Sequence, residues 1–239
     1  MGENGIRQIL LNAYSQGRKF LLEPEAKRIC EIVGLPVSRW IVAKTQEEAI
    51  EAAEKLGYPV VLKVVSPDIL HKSDVGGVIL NLGSPSQVKE AYNQLINNVK
   101  NRKPDARIEG VLVEPMAEKN IEVIVGGIRD PQFGPVVMFG LGGIFVEILK
   151  DVSFRITPVT LDDAYQMIKE VKGYPILAGA RGQKPLDIEI LAQTIVKVSD
   201  LFERYSEIDQ LDLNPIFVYE RGAKIVDARI LLTPRGEGA

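Results

Sequence analysis

Residues 59–65 read PVVLKVV, an apolar, largely β-branched run with one charge, Lys63, at its middle. A run this short and this apolar predicts a buried strand. An unpaired ammonium in such a strand is costly to bury, so Lys63 is expected to point at something anionic. The next residues, SPDILHKSDVGG, form a turn-rich loop that holds the only histidine of the chain, His71. Gly76-Gly77 closes that loop before a second apolar run over 78–82. Two readings fit. In one, a lysine on a rigid strand holds phosphate oxygens while a mobile loop carries a nucleophilic imidazole. In the other, a snorkelling lysine stands beside an ordinary exposed loop histidine, which is the commoner origin of such residues.

The punctuation around this stretch sets the architecture. Residues 4–21 predict an amphipathic helical arm, and Pro24 opens a second helix that Gly34 ends. A strand over 37–42 follows, then a capping box, Thr45-Gln46-Glu47-Glu48, for a helix reaching Leu56. Ser84-Pro85-Ser86-Gln87 opens a long helix to about Arg102, and 109–114 predicts a strand. Further strands are expected over 121–127, 134–139, 144–148 and 154–159, with a turn at Asp130-Pro131. Thr160 caps a helix to Val171, 187–205 predicts a longer one, and 212–219 with 223–230 predicts a closing hairpin. This order gives an α+β fold of two consecutive halves joined near Pro115-Met116, with a ligand in the cleft between them. The expected division is an arm over 1–20, subdomains over 21–114 and 115–232, and a tail over 233–239.

Composition narrows the function. A net charge of −3 gives no field for nucleic acid or a membrane surface. No stretch reaches eighteen apolar residues and no cleavable signal opens the chain, so a soluble, cytoplasmic protein is expected. The single cysteine, Cys30, cannot form an internal disulfide and sits in an apolar helical pattern as a buried thiol.

The closing hairpin carries the sharpest chemistry. Asp212 and Asn214 are two apart on one strand and share a face. If Tyr219-Glu220-Arg221-Gly222 is a four-residue loop, Asn214 pairs with Asp227 and Asp212 with Arg229. Paired positions have Cβ atoms ~5 Å apart. Few protein oxygens, completed by water and phosphate, suit magnesium. A solvated hairpin with a cross-strand ion pair is the alternative. In VLVEPMAEKNIEVIVG, Glu114 ends one strand and Glu122 begins another. The extended join could recognise adenine through its backbone, with Met116 as a soft apolar contact and Glu122 accepting from ribose. A plain strand connection fits it as well. Gly140-Leu141-Gly142-Gly143 has neither the dinucleotide nor the Walker spacing, so close packing explains it as well as phosphate binding. Arg155 and Arg181 are possible phosphate or partner contacts, and Glu147 has no assigned role.

Taken together, EAKRICEIVGLPV, GYPVVLKVVSPDILHKSDVGGV, VLVEPM, DPQFGPVVMFGLGGIFVEILKDV and DLNPI with VDAR resemble the ATP-grasp β subunit of ADP-forming acyl-CoA (acetyl-CoA) synthetase. The likeness is collinear over about 21–232 and extends to the succinyl-CoA synthetase β subunit, which has a glutamate in place of Asp212.

The resemblance implies an ATP-grasp fold and a role for each matching residue. Lys63 would bind nucleotide phosphates, Glu114 and Met116 the adenine, Glu122 the ribose, and Asn214 with Asp227 magnesium. Arg155 would be a further nucleotide contact. His71 would take a phosphoryl group from a phosphohistidine of an α subunit and carry it to ADP, with Asp212 orienting its imidazole. The chain lacks a dinucleotide fingerprint, so CoA and acyl-phosphate chemistry would belong to a separate α chain in an α2β2 assembly. ATP or ADP would be the substrate and Mg2+ the cofactor, with no nucleic acid or membrane partner. The alternatives are another ATP-grasp carboxylate ligase that forms an acyl phosphate without phosphohistidine, and a nucleotide-sensing module.

Overall fold

The structure, a computed structural model, describes residues 2–143 and 150–234. The strand expected over 144–148, and Glu147 within it, lie outside the described residues. The chain divides into two compact units: an inner one of residues 38–117, and an outer one built from the residues on either side of it.

The outer unit begins with α1 (Gly2–Ser15) and α2 (Glu23–Ile32). The inner unit then runs β1 (Ile41–Ala43), α3 (Gln46–Leu56), β2 (Val60–Val65), β3 (Val78–Leu82), α4 (Pro85–Arg102) and β4 (Gly110–Pro115). Both helices start where their caps predict. The Thr45 hydroxyl accepts from the Glu48 amide, and the Ser84 hydroxyl from the Gln87 amide. The strands form an antiparallel sheet in the order β1-β4-β2-β3. Val60, Leu62 and Val64 on β2, with Val111 and Val113 on β4, pack under Ala49, Ala52, Val88, Leu95 and Val99 of the two helices. Each fully buried aliphatic side chain of this kind stabilises the unit by roughly 1.5–3 kcal/mol. β2 is buried at all six positions, as its composition predicts. The strand expected over 37–42 is shorter. Only Ile41–Ala43 joins the inner sheet. Val37 instead bridges Ile225 in the outer unit, where the Pro36 carbonyl accepts from the Ile225 amide at 2.9 Å.

The outer unit resumes with β5 (Ile121–Asp130), β6 (Gly134–Leu141), β7 (Val152–Ile156), α5 (Leu161–Glu170), α6 (Tyr174–Leu177) and α7 (Ile188–Arg204). It closes with β8 (Ile208–Val218), β9 (Ala223–Ile225) and β10 (Ala228–Leu232). The sheet order is β10-β8-β5-β6-β7, all antiparallel, with β9 paired to β8. Alternation splits it into two faces. Val125, Val137, Phe139, Leu211 and Leu213 face a core filled by Met167, Ile168, Ile195, Val198 and Phe202 of α5 and α7. The opposite face carries the row Asp212, Gly126, Met138 and Phe154, each paired directly with the next.

Residues 1–37 belong to this same unit, which departs from the expected arm over 1–20 and first subdomain over 21–114. The cause is amphipathic packing. Ile6 and Leu10 of α1, with Ala26, Ile29 and Cys30 of α2, join the outer core. The backbone between the helices also pairs with the sheet edge, Leu21 N donating to Ile230 O at 3.0 Å and Leu232 N to Lys19 O at 2.8 Å. Among the described residues no helix is long and apolar enough to cross a membrane.

Candidate functional site

In the inner unit, β2 and β4 put Lys63 and Glu114 together. Val61 pairs with Glu114 and Lys63 with Leu112, so the two charged residues are diagonal neighbours on one face. Lys63 Nζ lies 2.6 Å from Glu114 Oε1, with side-chain exposures of 7% and 1%. The anion that Lys63 requires is thus present in the chain itself, 51 residues along. An ammonium has three N–H donors, so a carboxylate and a phosphate oxygen can share one lysine. Just past β4, the Met116 amide donates to the Pro59 carbonyl at 2.8 Å. That amide is therefore committed to the fold, which leaves Met116 its carbonyl and its thioether to offer a base.

His71 is exposed on the loop that joins β2 to β3. On either side of it Ile69 and Val75 are buried in the inner core, at 5% and 6% exposure. Ser73–Val75 forms a single three-ten turn. Gly76 follows with φ +64°, a conformation that favours glycine. A Cβ on Gly77 would lie 2.5 Å from Val64 Cγ1, so the return into the sheet also needs glycine.

In the outer unit, the hairpin has the predicted register. Ile216 pairs with Ile225 on one side and Leu213 with Ala228, Asp212 with Arg229, on the other, which sets Asn214 against Asp227. Burial pushes the Asp212 carboxyl above its ordinary range; Arg229 opposes the rise and Asp227 adds to it. Asp212 and Asn214 line an open cavity of about 620 Å³ together with Ile124, Gly126, Met138 and Phe154. Sequence reasoning missed these apolar neighbours. Their signal is the every-second-residue pattern of β5 and β6 on the face away from the helices. Glu122 opens onto a smaller cavity of about 280 Å³ with Asn120, Gly142 and Gly143. The Gly142 amide donates to the Glu122 carbonyl at 2.7 Å, and a Cβ on Gly142 would lie 2.8 Å from Glu122 Cβ. The glycines of the 140–143 run thus allow a close backbone approach at Glu122.

Residues 12–232 match the family described as ATP-grasp domain. The chain is 54% identical to the β subunit of acetate–CoA ligase [ADP-forming] I from Pyrococcus furiosus over 95% of its own length and 97% of the relative's. The chain belongs to the ATP-grasp family, among the β subunits of ADP-forming acetate–CoA ligases.

It is an acid–thiol ligase subunit of that family, and the relative's designation as a β subunit implies a partner subunit. The chain is also similar to two structures of the dinucleotide forming acetyl-coenzyme A synthetase 1 from Ca. Korarchaeum cryptofilum. One, 48% identical with a TM-score of 0.89 over 95% of this chain and 100% of that one, has a phosphorylated phosphohistidine segment in site I orientation. The other, 46% identical with a TM-score of 0.83 over the same shares, holds Mg-AMPPCP with its phosphohistidine segment pointing towards the nucleotide binding site.

Within this ATP-grasp chain the expected site residues fall into separate groups: Lys63 with Glu114, His71 on its loop, and Asp212, Asn214 and Asp227 on the hairpin, with Glu122 on a neighbouring strand of the same sheet. Arg155 is not with them. It pairs with Val137, on the helix-covered face opposite Asp212 and Asn214, and its guanidinium forks onto Glu170 at the end of α5. That ion pair holds the Glu170 carboxyl below its ordinary range. The backbone of Arg181 lies in a three-ten turn, Ala180–Gly182.

Proposed function

We propose that this β subunit passes a phosphoryl group through His71 to ADP, within the reaction acyl-CoA + ADP + phosphate = carboxylic acid + CoA + ATP. It would do so in the cytoplasm, in an α2β2 assembly whose α subunit carries the CoA and acyl-phosphate chemistry. The observation that carries the reading is the only histidine of the chain, exposed on an anchored loop. It stands in a chain 46–48% identical to a protein whose phosphohistidine segment is in site I orientation in one structure and points towards the nucleotide binding site in another.

An imidazole nitrogen of His71 attacks a phosphoryl group on a histidine of the partner; one P–N bond forms as the other breaks. A terminal phosphate oxygen of ADP then attacks the same phosphorus, the bond to His71 breaks, and the free imidazole returns with ATP as product. A carboxylate that accepts from one ring N–H fixes the tautomer that leaves the other nitrogen free to attack, and the resemblance gives that part to Asp212. Lys63 donates to the nucleotide phosphates while Glu114 holds its ammonium in place. Glu114 and Met116 serve the adenine end and Glu122 the ribose hydroxyls.

The donor set of the hairpin fits magnesium. Asn214 and Asp227 offer hard oxygen ligands, and the mutual repulsion of Asp212 and Asp227 is what a cation relieves. Held there, magnesium would neutralise charge on the nucleotide phosphates.

The test is phosphorylation of the full chain by γ-labelled ATP with magnesium. An acid-labile, base-stable label is expected, lost in His71→Ala. A wild-type chain that takes no label, or a label that survives His71→Ala, overturns the reading. Mixed alone with acetate, CoA, ATP and magnesium, the chain should form almost no acetyl-CoA.

A further inference from the structure

The loop that carries His71 is tied to one helix end at both of its own ends. At its start, the Asp68 carboxylate accepts from Arg107 three times: from the amide at 2.8 Å, from Nε at 3.1 Å and from Nη2 at 3.2 Å. The Asp68 carbonyl accepts from Lys103 Nζ at 3.1 Å, and its amide donates to Ser66 Oγ at 3.1 Å. At its finish the ties are single bonds to backbone oxygens. Arg102 Nη1 donates to the Asp74 carbonyl at 2.7 Å, and Asn98 Nδ2 to the Gly76 carbonyl at 3.2 Å. The donors all come from the last turns of α4 and the residues just after it. That helix is itself fixed, with Val88, Ala91, Leu95 and Val99 buried.

We infer that this end of α4 is a cradle for the His71 segment, with Arg107 fixing a pivot at Asp68 and Arg102 a latch at Asp74. The inference rests on the carrier reading above. A segment that carries a phosphoryl group has to leave one position for another, and its ties have to differ in strength to let one end go. Asp68 is held by a two-pronged guanidinium and a backbone amide, a geometry that resists rotation. Among the described residues Asp74 and Gly76 each take one donor from α4, next to a glycine with positive φ and an apolar plug, Val75, while Gly77 N closes the turn onto the Lys72 carbonyl at 2.8 Å. The second end is the one that opens. Arg102 and Arg107 are therefore positioning residues: they touch no reacting atom and set where His71 waits.

The full-length chain tests this by amide hydrogen exchange. Arg102→Met is expected to speed exchange of the amides over 72–77 by about three- to tenfold, the loss of one exposed charge-assisted bond, while β2, β4 and the first turns of α4 stay at the wild-type rate. Arg107→Met is expected to extend the faster exchange back to 67–71. Arg102→Lys, which keeps a donor, is expected to restore part of the protection. Because His71 is the only histidine, its ring gives one set of resonances; Arg102→Met should broaden it by motion in the μs–ms range, and Arg102→Lys should reverse that. Wild-type exchange and an unaltered ring signal in Arg102→Met overturn the cradle, as does acceleration that spreads equally through the inner sheet. The phosphorylation assay separates the two ideas. An unlabelled wild type with a released segment in Arg102→Met sinks the carrier role alone, and a labelled wild type with an unmoved segment sinks the cradle alone.

Discussion

Replacing Lys63 by methionine should destabilise the inner unit severely, and removing Glu114 as well should restore most of the loss. The two side chains are 2.6 Å apart and nearly sealed from water. Deleting one partner of a buried pair leaves the other charge without compensation, at about 3–5 kcal/mol. A unit of the size of residues 38–117 has a total stability of roughly 4–12 kcal/mol. Lys63→Met should therefore take away about a quarter or more of it. With a urea slope near 1–1.5 kcal/mol/M the midpoint falls by about 2–5 M. The double variant Lys63→Met/Glu114→Leu swaps the pair for apolar side chains and should return to within about 1.5 kcal/mol of wild type. The only tryptophan, Trp40, precedes β1 in this unit, so its fluorescence reports on the inner unit. A Lys63→Met chain with the wild-type midpoint would refute the reasoning, because the ammonium would then be free to snorkel into water. A double variant no better than the single one would refute it equally, since the loss would then come from packing rather than from a stranded carboxylate.

The remaining expectations are narrower. Asp227→Asn and Asn214→Ala should weaken calorimetric binding of ADP about tenfold or more with magnesium present and change it little with EDTA, if the hairpin holds the cation. Arg155→Ala should cost no more than about 1 kcal/mol in denaturant titrations and leave ADP affinity unaltered, since its guanidinium is bound to Glu170 on the helix face. Arg107 holds the Asp68 carboxyl below its ordinary range, so its folded-state pKa is depressed. The anchoring it contributes is present above the ordinary aspartate value of about 3.9 and lost as pH falls through the lower folded value. The Arg107 amide resonance should therefore hold steady down to about pH 4, move below it, and lose that titration in Asp68→Asn. Cys30 is fully buried and its thiol is pushed up to about 12 by burial. A disulfide reagent near pH 8 should leave the native chain untouched and titrate one thiol after unfolding in guanidinium.

Local signals were legible in the sequence wherever neighbours in the chain are neighbours in space. The caps at Thr45, Ser84 and Thr160 all make the hydrogen bonds their spacing predicts. The hairpin register follows from loop length alone, which is why the sequence itself matches Asn214 with Asp227. Its strand continuity did not follow: 223–230 is broken at Val226-Asp227 into β9 and β10. Contacts across long stretches were beyond reach. Nothing near Lys63 in the chain points to Glu114, and nothing near Leu21 points to Ile230. The same limit misplaced the strand over 37–42, whose first residue answers to Ile225. Arg155 looked like an oxyanion ligand by residue type, but strand parity and Glu170 turn it toward the helices.

The chain starts and finishes in one unit while its middle forms the other. During synthesis the middle piece can therefore complete its own packing first, whereas α1 and α2 wait for β10, the last strand among the described residues. Removing α1 or β10 should accordingly harm the same body, and should spare the part that bears the histidine.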